Sequence, residues 1–176
     1  VLVNQLSCPG NGLIIGTSHI TLDCQGYAIW GSGSGVGIDI VDNYVTIKNC
    51  VVRDFANGIY LHNIADYNTL IDNEFYSNEF HGIYLYDAWS NYVAYNDVTY
   101  NGMNGLYFYD ISRYNDIIDN NFWFNGYHGV ELKGTSDSND FIANYFYMNG
   151  WSGMGINTDN NWIQDCTSRD NLYHGF

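Results

Sequence analysis

Basic residues and proline are scarce in this chain of 176 residues. Lysine and arginine together number five against 19 acidic residues, which gives a formal net charge of −14. A chain this acidic binds phosphate backbones poorly, so we expect no nucleic-acid partner. The single proline and an unbroken sequence pattern leave no linker. We therefore expect one domain over residues 1–176.

Three other features are missing from the sequence. No run of about 20 apolar residues occurs, so direct membrane insertion is not expected. No Cys-x-x-Cys pair occurs, which argues against a zinc knuckle. No segment has ten residues of helical periodicity, and the fold is therefore not expected to be helical.

What the sequence does contain is a repeat. Glycine followed by alternating apolar residues recurs every 21 to 25 residues, at Gly12, Gly37, Gly58, Gly82, Gly105, Gly129 and Gly153, and an eighth copy begins at Gly175. Such a period is typical of solenoids, whose units bury their apolar faces by stacking. Alternation within each unit, followed by two further short apolar segments, indicates three strands per coil. We predict an all-β, right-handed parallel β-helix of about eight coils, uncapped at both ends.

The alternation also predicts which side chains face the core. The inward set is Ile59, Leu61, Ile83, Leu85, Leu106, Phe108, Val130 and Leu132. One outward column holds Tyr60, Tyr84, Tyr107 and Glu131, and the next holds His62, Tyr86, Tyr109 and Lys133. Three interpretations of these tyrosines stay open: a self-stabilising ladder, a contact surface for another subunit, or a stacking platform for sugar rings.

Asparagine falls in three columns when the units are aligned. The first column is Asn43, Asn68, Asn91, Asn115, Asn139 and Asn160; the second is Asn73, Asn96, Asn120 and Asn144, ending in Asp165; the third is Asn78, Asn101, Asn125 and Asn149, ending in Asp170. Asparagine tolerates the left-handed backbone of tight turns. Stacked side-chain amides also bond to one another along a column. A structural role is therefore the favoured interpretation.

The opening segments, Cys8-Pro-Gly-Asn-Gly-Leu-Ile-Ile-Gly and Ile20-Thr-Leu-Asp-Cys-Gln-Gly, together with the repeat, resemble the right-handed parallel β-helix repeat family of the pectin-lyase-like and NosD-like type. The resemblance covers essentially the whole chain. It implies the fold and no single substrate. NosD-like proteins are associated with periplasmic copper enzymes, but Met103, Met148 and Met154 are dispersed along this chain. We expect no copper site and no cofactor.

Four cysteines in a small acidic chain favour an oxidising, extracellular compartment. Cys8, Cys24 and Cys50 lie in the first three coils, and Cys166 lies in the last. Two pairing hypotheses stay open. Within one chain, Cys8 pairs with Cys24 and the other two cysteines stay reduced. Between chains stacked end to end, Cys166 pairs with Cys8 or Cys24 of the next subunit.

Carboxylates and histidines are the candidate catalytic residues. Asp87 and Asp110 fall one coil apart but in a column typical of a turn, and no Asp-Asp pair stands in the sequence. His81, His128 and His174 each precede a repeat glycine, at a position where other coils have Asn57, Asn104 or Ser152. A polar turn residue is the favoured interpretation of these histidines. We expect no enzymatic activity and no metal site.

The sequence therefore predicts an extracellular structural protein that forms a homopolymer, such as a sheath, surface layer or filament, through its ends and aromatic faces. In acidity, asparagine and tyrosine content and cysteine placement, the chain resembles an archaeal cell-sheath subunit. The alternative is a carbohydrate-binding or carbohydrate-cleaving module with a glycan partner. A groove that brings two carboxylates within about 10 Å on one face would favour the alternative.

Overall fold

The computed structural model describes residues 1–176 and consists of short strands joined by turns, with no helix. Each turn of the chain adds one strand to each of three parallel sheets, which we name A, B and C. The architecture is the predicted parallel β-solenoid, with about seven turns. The eighth copy, at Gly175, forms no strand.

The strands are numbered in chain order, and each pairs with the strand three places before and after it. Sheet A contains β1 (Leu6–Ser7), β4 (Ala28–Trp30), β7 (Val51–Arg53), β10 (Glu74–Tyr76), β13 (Asp97–Thr99), β16 (Asn121–Trp123), β19 (Tyr145–Tyr147) and β22 (Thr167–Arg169). Sheet B contains β2 (Leu13–Ile15), β5 (Val36–Ile40), β8 (Asn57–Leu61), β11 (His81–Tyr86), β14 (Leu106–Tyr109), β17 (Val130–Leu132) and β20 (Met154–Ile156). Sheet C contains β3 (Thr21–Asp23), β6 (Thr46–Lys48), β9 (Thr69–Ile71), β12 (Tyr92–Ala94), β15 (Asp116–Ile118), β18 (Asp140–Ile142) and β21 (Trp162–Gln164).

A continuous apolar core fills the space between the three sheets. All eight side chains predicted to face inward from sheet B are fully buried. Sheet A contributes a column of phenylalanines, in which Phe122 stacks on Phe146 with ring centroids 5.5 Å apart. Tyr60, Tyr84 and Tyr107 alternate with the buried residues and face outward, so the predicted register is confirmed. Burial of such side chains stabilises the fold by about 1.5–3 kcal/mol each.

Asparagine side chains form three hydrogen-bonded ladders inside the corners between sheets. The first ladder runs through Asn68, Asn91, Asn115, Asn139 and Asn161; the second through Asn73, Asn96, Asn120 and Asn144; the third through Asn78, Asn101, Asn125, Asn149 and Asn171. In each step the Oδ1 atom accepts the main-chain N–H of the equivalent asparagine one coil earlier. These ladders satisfy buried backbone donors that no strand pairing reaches.

The predicted ends of these columns were wrong. Val45, rather than Asn43, donates its N–H to Asn68 Oδ1 at 2.7 Å. In the last coil the predicted Asn160, Asp165 and Asp170 are each one residue early, and the ladder positions belong to Asn161, Cys166 and Asn171. The last coil is 22 residues long and the one before it 24. Because the coil length changes here, alignment of the repeats by sequence alone placed the last coil one residue out of register.

The left-handed backbone also lies one residue away from its expected place. No ladder asparagine has a positive φ; the residue before each one does, whatever its type, as Tyr95 (56°), Asp119 (52°) and Ala143 (55°) show. The turn therefore needs asparagine for its side-chain amide, and the strain of the αL conformation falls on its neighbour.

No helix in the structure is long and apolar enough to cross a membrane.

Candidate functional site

The outer surface of sheet B brings tyrosine, histidine, carboxylate and lysine side chains together on one face. Strand register sets a central column of Asp39, Tyr60, Tyr84, Tyr107, Glu131 and Gly155. Beside it lies an outer column of His62, Tyr86, Tyr109 and Lys133. On the other side lies an Asn–His column of Asn57, His81, Asn104 and His128. Because strands add in register, residues more than 20 positions apart in sequence become neighbours on one face.

The tyrosines of the central column pack against one another. Tyr60 stacks on Tyr84 with ring centroids 4.6 Å apart, and Tyr107 lies at 41° to Tyr84 with centroids 5.3 Å apart. In the outer column, Tyr86 stacks on Tyr109 at 5.9 Å. Both faces of the Tyr84 ring are therefore covered, and the columns expose ring edges and hydroxyl groups. This geometry supports the self-stabilising ladder and removes the faces that sugar stacking would require.

Burial changes the acidity of these phenols. Desolvation, followed by the neighbouring hydroxyl groups, raises the pKa of Tyr84 far above its ordinary value of 10.0. Desolvation likewise raises the pKa of Tyr60 and of Tyr107. The hydroxyl groups therefore stay protonated at neutral pH and present a row of neutral donors and acceptors.

The Asn–His column is a fourth side-chain ladder. Asn57 Oδ1 accepts the main-chain N–H of His81 at 3.3 Å, His81 Nδ1 accepts that of Asn104 at 3.4 Å, and Asn104 Oδ1 accepts that of His128 at 3.1 Å. His81 begins strand β11 and lies against the Tyr107 ring, with centroids 4.5 Å apart. The prediction of a turn residue was therefore wrong for His81. Burial lowers the pKa of His81 to about 4 and keeps its ring neutral.

A carboxylate lies against a nitrogen-bearing side chain towards each end of the central column. Asp39 Oδ1 is 2.7 Å from His62 Nε2 at the N-terminal end. Glu131 Oε1 is 2.9 Å from Lys133 Nζ at the other end, and Glu131 Oε2 accepts a hydrogen bond from Asn104 Nδ2 at 2.8 Å. The hydrogen bond to Glu131 raises the pKa of Lys133, which is therefore cationic at neutral pH.

The residue that follows Glu131 in the central column is Gly155, which has no side chain, and a hollow forms there. This Gly155 hollow has a volume of about 450 Å³ and is lined by His128, Glu131, Lys133, Trp151, Tyr173 and His174 among others. A Cβ atom on Gly155 would lie 2.9 Å from His128 Cε1, so the imidazole occupies the space that a larger residue would take. His128 Nδ1 is buried without a hydrogen-bond partner. Desolvation lowers the pKa of His128, so its ring is neutral at pH 7.

The carboxylate candidates Asp87 and Asp110 follow the paired residues Tyr86 and Tyr109 at a turn. Both adopt a left-handed backbone, with φ of 50° and 60°, and Asp110 is exposed. Asp87 shares a cavity of about 180 Å³ with Asp66, Ile64 and Trp89. We name this the Asp66 cavity. The pairing of Asp66 with Asp87 was not predictable from the aligned repeat, because the turn before Asp66 contains an additional residue.

The cysteines pair differently from the hypothesis for a single chain. Cys24 and Cys50 form a disulfide with Cα atoms 4.7 Å apart, and Cys8 and Cys166 are free. Cys24 and Cys50 lie in the same corner of adjacent coils, between sheets C and A. Cys8 lies in another corner, beside Trp30 of sheet A. Cys50 and Cys166 flank the second asparagine ladder at its two ends.

No three side chains of His, Cys, Asp or Glu lie close enough together to bind a metal ion.

Comparison with known proteins gives one family match and several structural matches. The model of the family described as "Periplasmic copper-binding protein (NosD)" matches residues 4–175. A point mutant of the periplasmic alginate epimerase AlgG superposes with a TM-score of 0.66 at 17% identity, over 94% of this chain and 49% of that one. ORF18 of Geobacillus virus E2 superposes with a TM-score of 0.55 at 15% identity, over 99% and 52%. No curated protein sequence matches.

At these identities the solved structures show a shared fold alone, and this chain spans about half the length of each of them. The family match is broader, since it covers nearly every residue of the solenoid. The chain therefore belongs to the NosD family of parallel β-helix proteins.

Proposed function

We propose that this chain is a saccharide-binding β-solenoid and that the Gly155 hollow holds a sugar residue. The observation that carries the proposal is the hollow itself. Its volume of about 450 Å³ falls within the range of about 300–1,000 Å³ typical of small-molecule sites. Its walls combine the aromatic groups of Trp151 and Tyr173, whose rings meet at 57° with centroids 5.4 Å apart, with the polar groups of His128, Glu131 and Lys133. Tyr127 stacks on the Trp151 ring, so a sugar would contact the ring portions that Tyr127 and Tyr173 leave uncovered. Sugars need that combination, since they have apolar ring faces and hydroxyl edges.

One structural neighbour supports this proposal, because AlgG is an alginate epimerase. We propose binding without turnover for the present chain. Glycoside hydrolysis needs two carboxylates on opposite sides of the bond. Glu131 is the carboxylate of the hollow, and its two oxygens already accept from Lys133 and Asn104. The paired carboxylates of the Asp66 cavity lie in a different corner of the solenoid.

Affinity electrophoresis through gels that contain alginate, pectin or neutral glucans tests the proposal. We expect at least one polysaccharide to retard the protein, and Trp151→Ala to remove the retardation. Trp162→Ala is the matched control, because Trp162 is exposed on sheet C and lies outside the hollow. Equal mobility of the wild-type protein in every gel would contradict saccharide binding. Release of reducing or unsaturated sugar ends would contradict binding without turnover.

We also propose that the chain works outside the cytoplasm. A disulfide persists mainly in oxidising compartments, and Cys24 and Cys50 form one. The family to which the chain belongs is one of periplasmic proteins. The free-thiol count of protein extracted under alkylating conditions tests this: two free cysteines per chain are expected, and four would contradict the proposal.

The copper named in the family description does not fit this chain. Copper sites need clustered His, Met or Cys ligands, and no such cluster of three histidine, cysteine or carboxylate groups is present. Met154 is buried in the core, whereas Met148 is exposed at a turn. We derive no role for copper in this molecule.

Self-assembly into a sheath, surface layer or filament is the second candidate function, and an exposed aromatic surface favours it. Tyr100 stacks on Phe124 with centroids 5.0 Å apart, and Trp123 lies beside them. Contiguous apolar surface of this kind is typical of contact sites. An intersubunit disulfide could form only between Cys8 and Cys166, the two free thiols.

Sedimentation velocity and negative-stain microscopy of the purified protein test this second candidate. Filaments or sheets that disappear in Trp123→Ser would support assembly through the aromatic surface. A monomer at all concentrations would contradict it. Gel electrophoresis without reductant separately tests the Cys8–Cys166 bond, since a single band near 20 kDa would exclude it.

A further inference from the structure

The corner between sheets B and C carries an exposed column of rings that is interrupted at Ser90. Strand register and successive main-chain N–H bonds to the next coil define the column. It contains His19, Tyr44, Tyr67, Ser90 and Tyr114 and continues with Ser138. All six residues adopt the left-handed backbone, with φ between 54° and 59°. Ser90 has no ring and lies between two tyrosines, Tyr67 and Tyr114.

Below the gap the rings are in regular contact. His19 stacks on Tyr44 with centroids 5.0 Å apart, and Tyr44 stacks on Tyr67 at 5.3 Å. Tyr67 and Tyr114 are two coils apart, or about 10 Å from the strand spacing. On one side of this gap the Trp89 ring lies edge-on to the Tyr114 ring, with centroids 6.5 Å apart. The column position of Ser90, between Tyr67 and Tyr114, holds no ring and leaves a place for one planar group.

The Asp66 cavity borders this gap, because Asp66 directly precedes Tyr67 and Trp89 directly precedes Ser90. Asp66 Oδ1 accepts the main-chain N–H of Trp89 at 2.7 Å, and Asp87 Oδ1 accepts its indole N–H at 3.3 Å. These bonds fix both carboxylates around the same residue.

Neither carboxylate has a cationic partner. Arg113, on the next coil, pairs with Asp137 and donates to the carbonyl of Thr135. Desolvation and the charge of Asp87 raise the pKa of Asp66, as expected for two carboxylates without a neutralising cation. The corner thus combines two exposed tyrosines, a gap between them at Ser90 and two carboxylates without a cationic partner.

We propose that this gap binds the guanidinium group of an arginine side chain from a partner peptide or protein. A guanidinium is planar and stacks on aromatic faces, and its donor fork pairs with carboxylates in a bidentate geometry. It would take the place of the missing ring between Tyr67 and Tyr114 and neutralise Asp66 and Asp87. The net charge of −14 would attract a basic partner. This site is separate from the Gly155 hollow.

Calorimetric titration with a blocked Gly-Arg-Gly peptide tests the proposal, with Gly-Lys-Gly and Gly-citrulline-Gly as matched probes. Citrulline keeps the planar shape without the charge, whereas lysine keeps the charge without the plane. We expect the arginine peptide to bind roughly tenfold more tightly than either probe. Equal affinities for the three peptides, or no binding of the arginine peptide, would overturn the proposal.

Ser90→Tyr supplies the missing ring and leaves both carboxylates in place. The column already holds tyrosine at this backbone conformation, so we expect the variant to fold and to lose arginine binding. Ser138→Tyr is the control, since Ser138 follows Tyr114 in the same column and its neighbour Asp137 already pairs with Arg113. Asp87→Asn, an independent second variant, should weaken binding. Unchanged affinity in Ser90→Tyr or in Asp87→Asn would contradict the assignment.

Discussion

Asn96 Oδ1 accepts two hydrogen bonds from Asn73, one from its main-chain N–H and one from its side-chain Nδ2, both at 3.0 Å. Asn96 in turn donates to Asn120 Oδ1 at 2.9 Å and to the carbonyl groups of Leu70 and Ala94. One amide therefore serves three successive coils. The ladder links the turns of the solenoid in a place where strand pairing is interrupted.

The first prediction follows from this connectivity. Asn96→Ala should destabilise the fold by about 2–4 kcal/mol, because it leaves buried donors and acceptors without partners. Chemical denaturation measures the change. Asn63→Ala is the control, since Asn63 is exposed and lies outside the ladders, and it should change stability by less than about 0.5 kcal/mol. Equal effects of the two substitutions would mean that the ladder does not stabilise the fold.

The second prediction concerns the disulfide. Cys24 and Cys50 close a loop with a sequence separation of 26, for which loop entropy predicts a stabilisation of about 3 kcal/mol. Reductant should therefore lower the thermal midpoint of the wild-type protein, and the double variant Cys24→Ser/Cys50→Ser should show the low midpoint without reductant. Cys166→Ser should retain the response to reductant. If the thermal midpoint of Cys166→Ser no longer responded to reductant, the disulfide would involve Cys166 and the Cys24–Cys50 pairing would be wrong.

Period and alternation were enough to predict the coils, the three sheets and the buried columns, because stacking in register repeats one local rule. The same rule does not show where a coil gains or loses a residue. Asn160 and Asn161 are adjacent identical residues, and only the hydrogen bond to Asn139 shows which of them belongs to the ladder. The disulfide was missed for a related reason, since the corner that holds Cys24 contains two more residues than the next coil.

The Gly155 hollow was not predictable from the repeat. It forms because an outward glycine follows Glu131 in register, while Trp151 and Tyr173 arrive from the neighbouring turns of two coils. Aligned columns showed where the tyrosines stand, but not that their ring faces are covered by one another. Both properties depend on side-chain packing between coils.

The third prediction is a pH dependence at His81. Its pKa in the folded protein, about 4, lies below the ordinary 6.5 because burial disfavours the charged ring. The unfolded chain therefore binds more protons between these values, and the stability due to the neutral ring is complete above pH 6.5 and lost as the pH falls through 4. The loss amounts to about 3 kcal/mol.

His81→Asn isolates this effect, because asparagine occupies the same column at Asn57 and Asn104. Denaturant midpoints of both proteins between pH 4 and 7 give the measurement. The wild-type protein should lose stability relative to the variant as the pH falls, while contributions from acidic residues largely cancel in the comparison. If the two proteins lose stability in parallel over this pH range, the pKa of His81 is not lowered by folding and the prediction is wrong.

The last prediction separates the proposed sugar site from the fold. In Gly155→Ala the new methyl group would lie 2.9 Å from His128 Cε1, so the imidazole must move into the hollow. Gly155 has no positive φ, and alanine in a strand is favoured over glycine by about 0.5–1 kcal/mol, so the thermal midpoint should hold or rise. Affinity for the retarding polysaccharide should fall roughly tenfold, or about 1.4 kcal/mol.

Gly16→Ala is the control, because its methyl group would meet Val41 at an ordinary 3.7 Å, and it should bind like the wild-type protein. If Gly155→Ala binds with unchanged affinity while His128 has moved, the sugar lies outside the hollow.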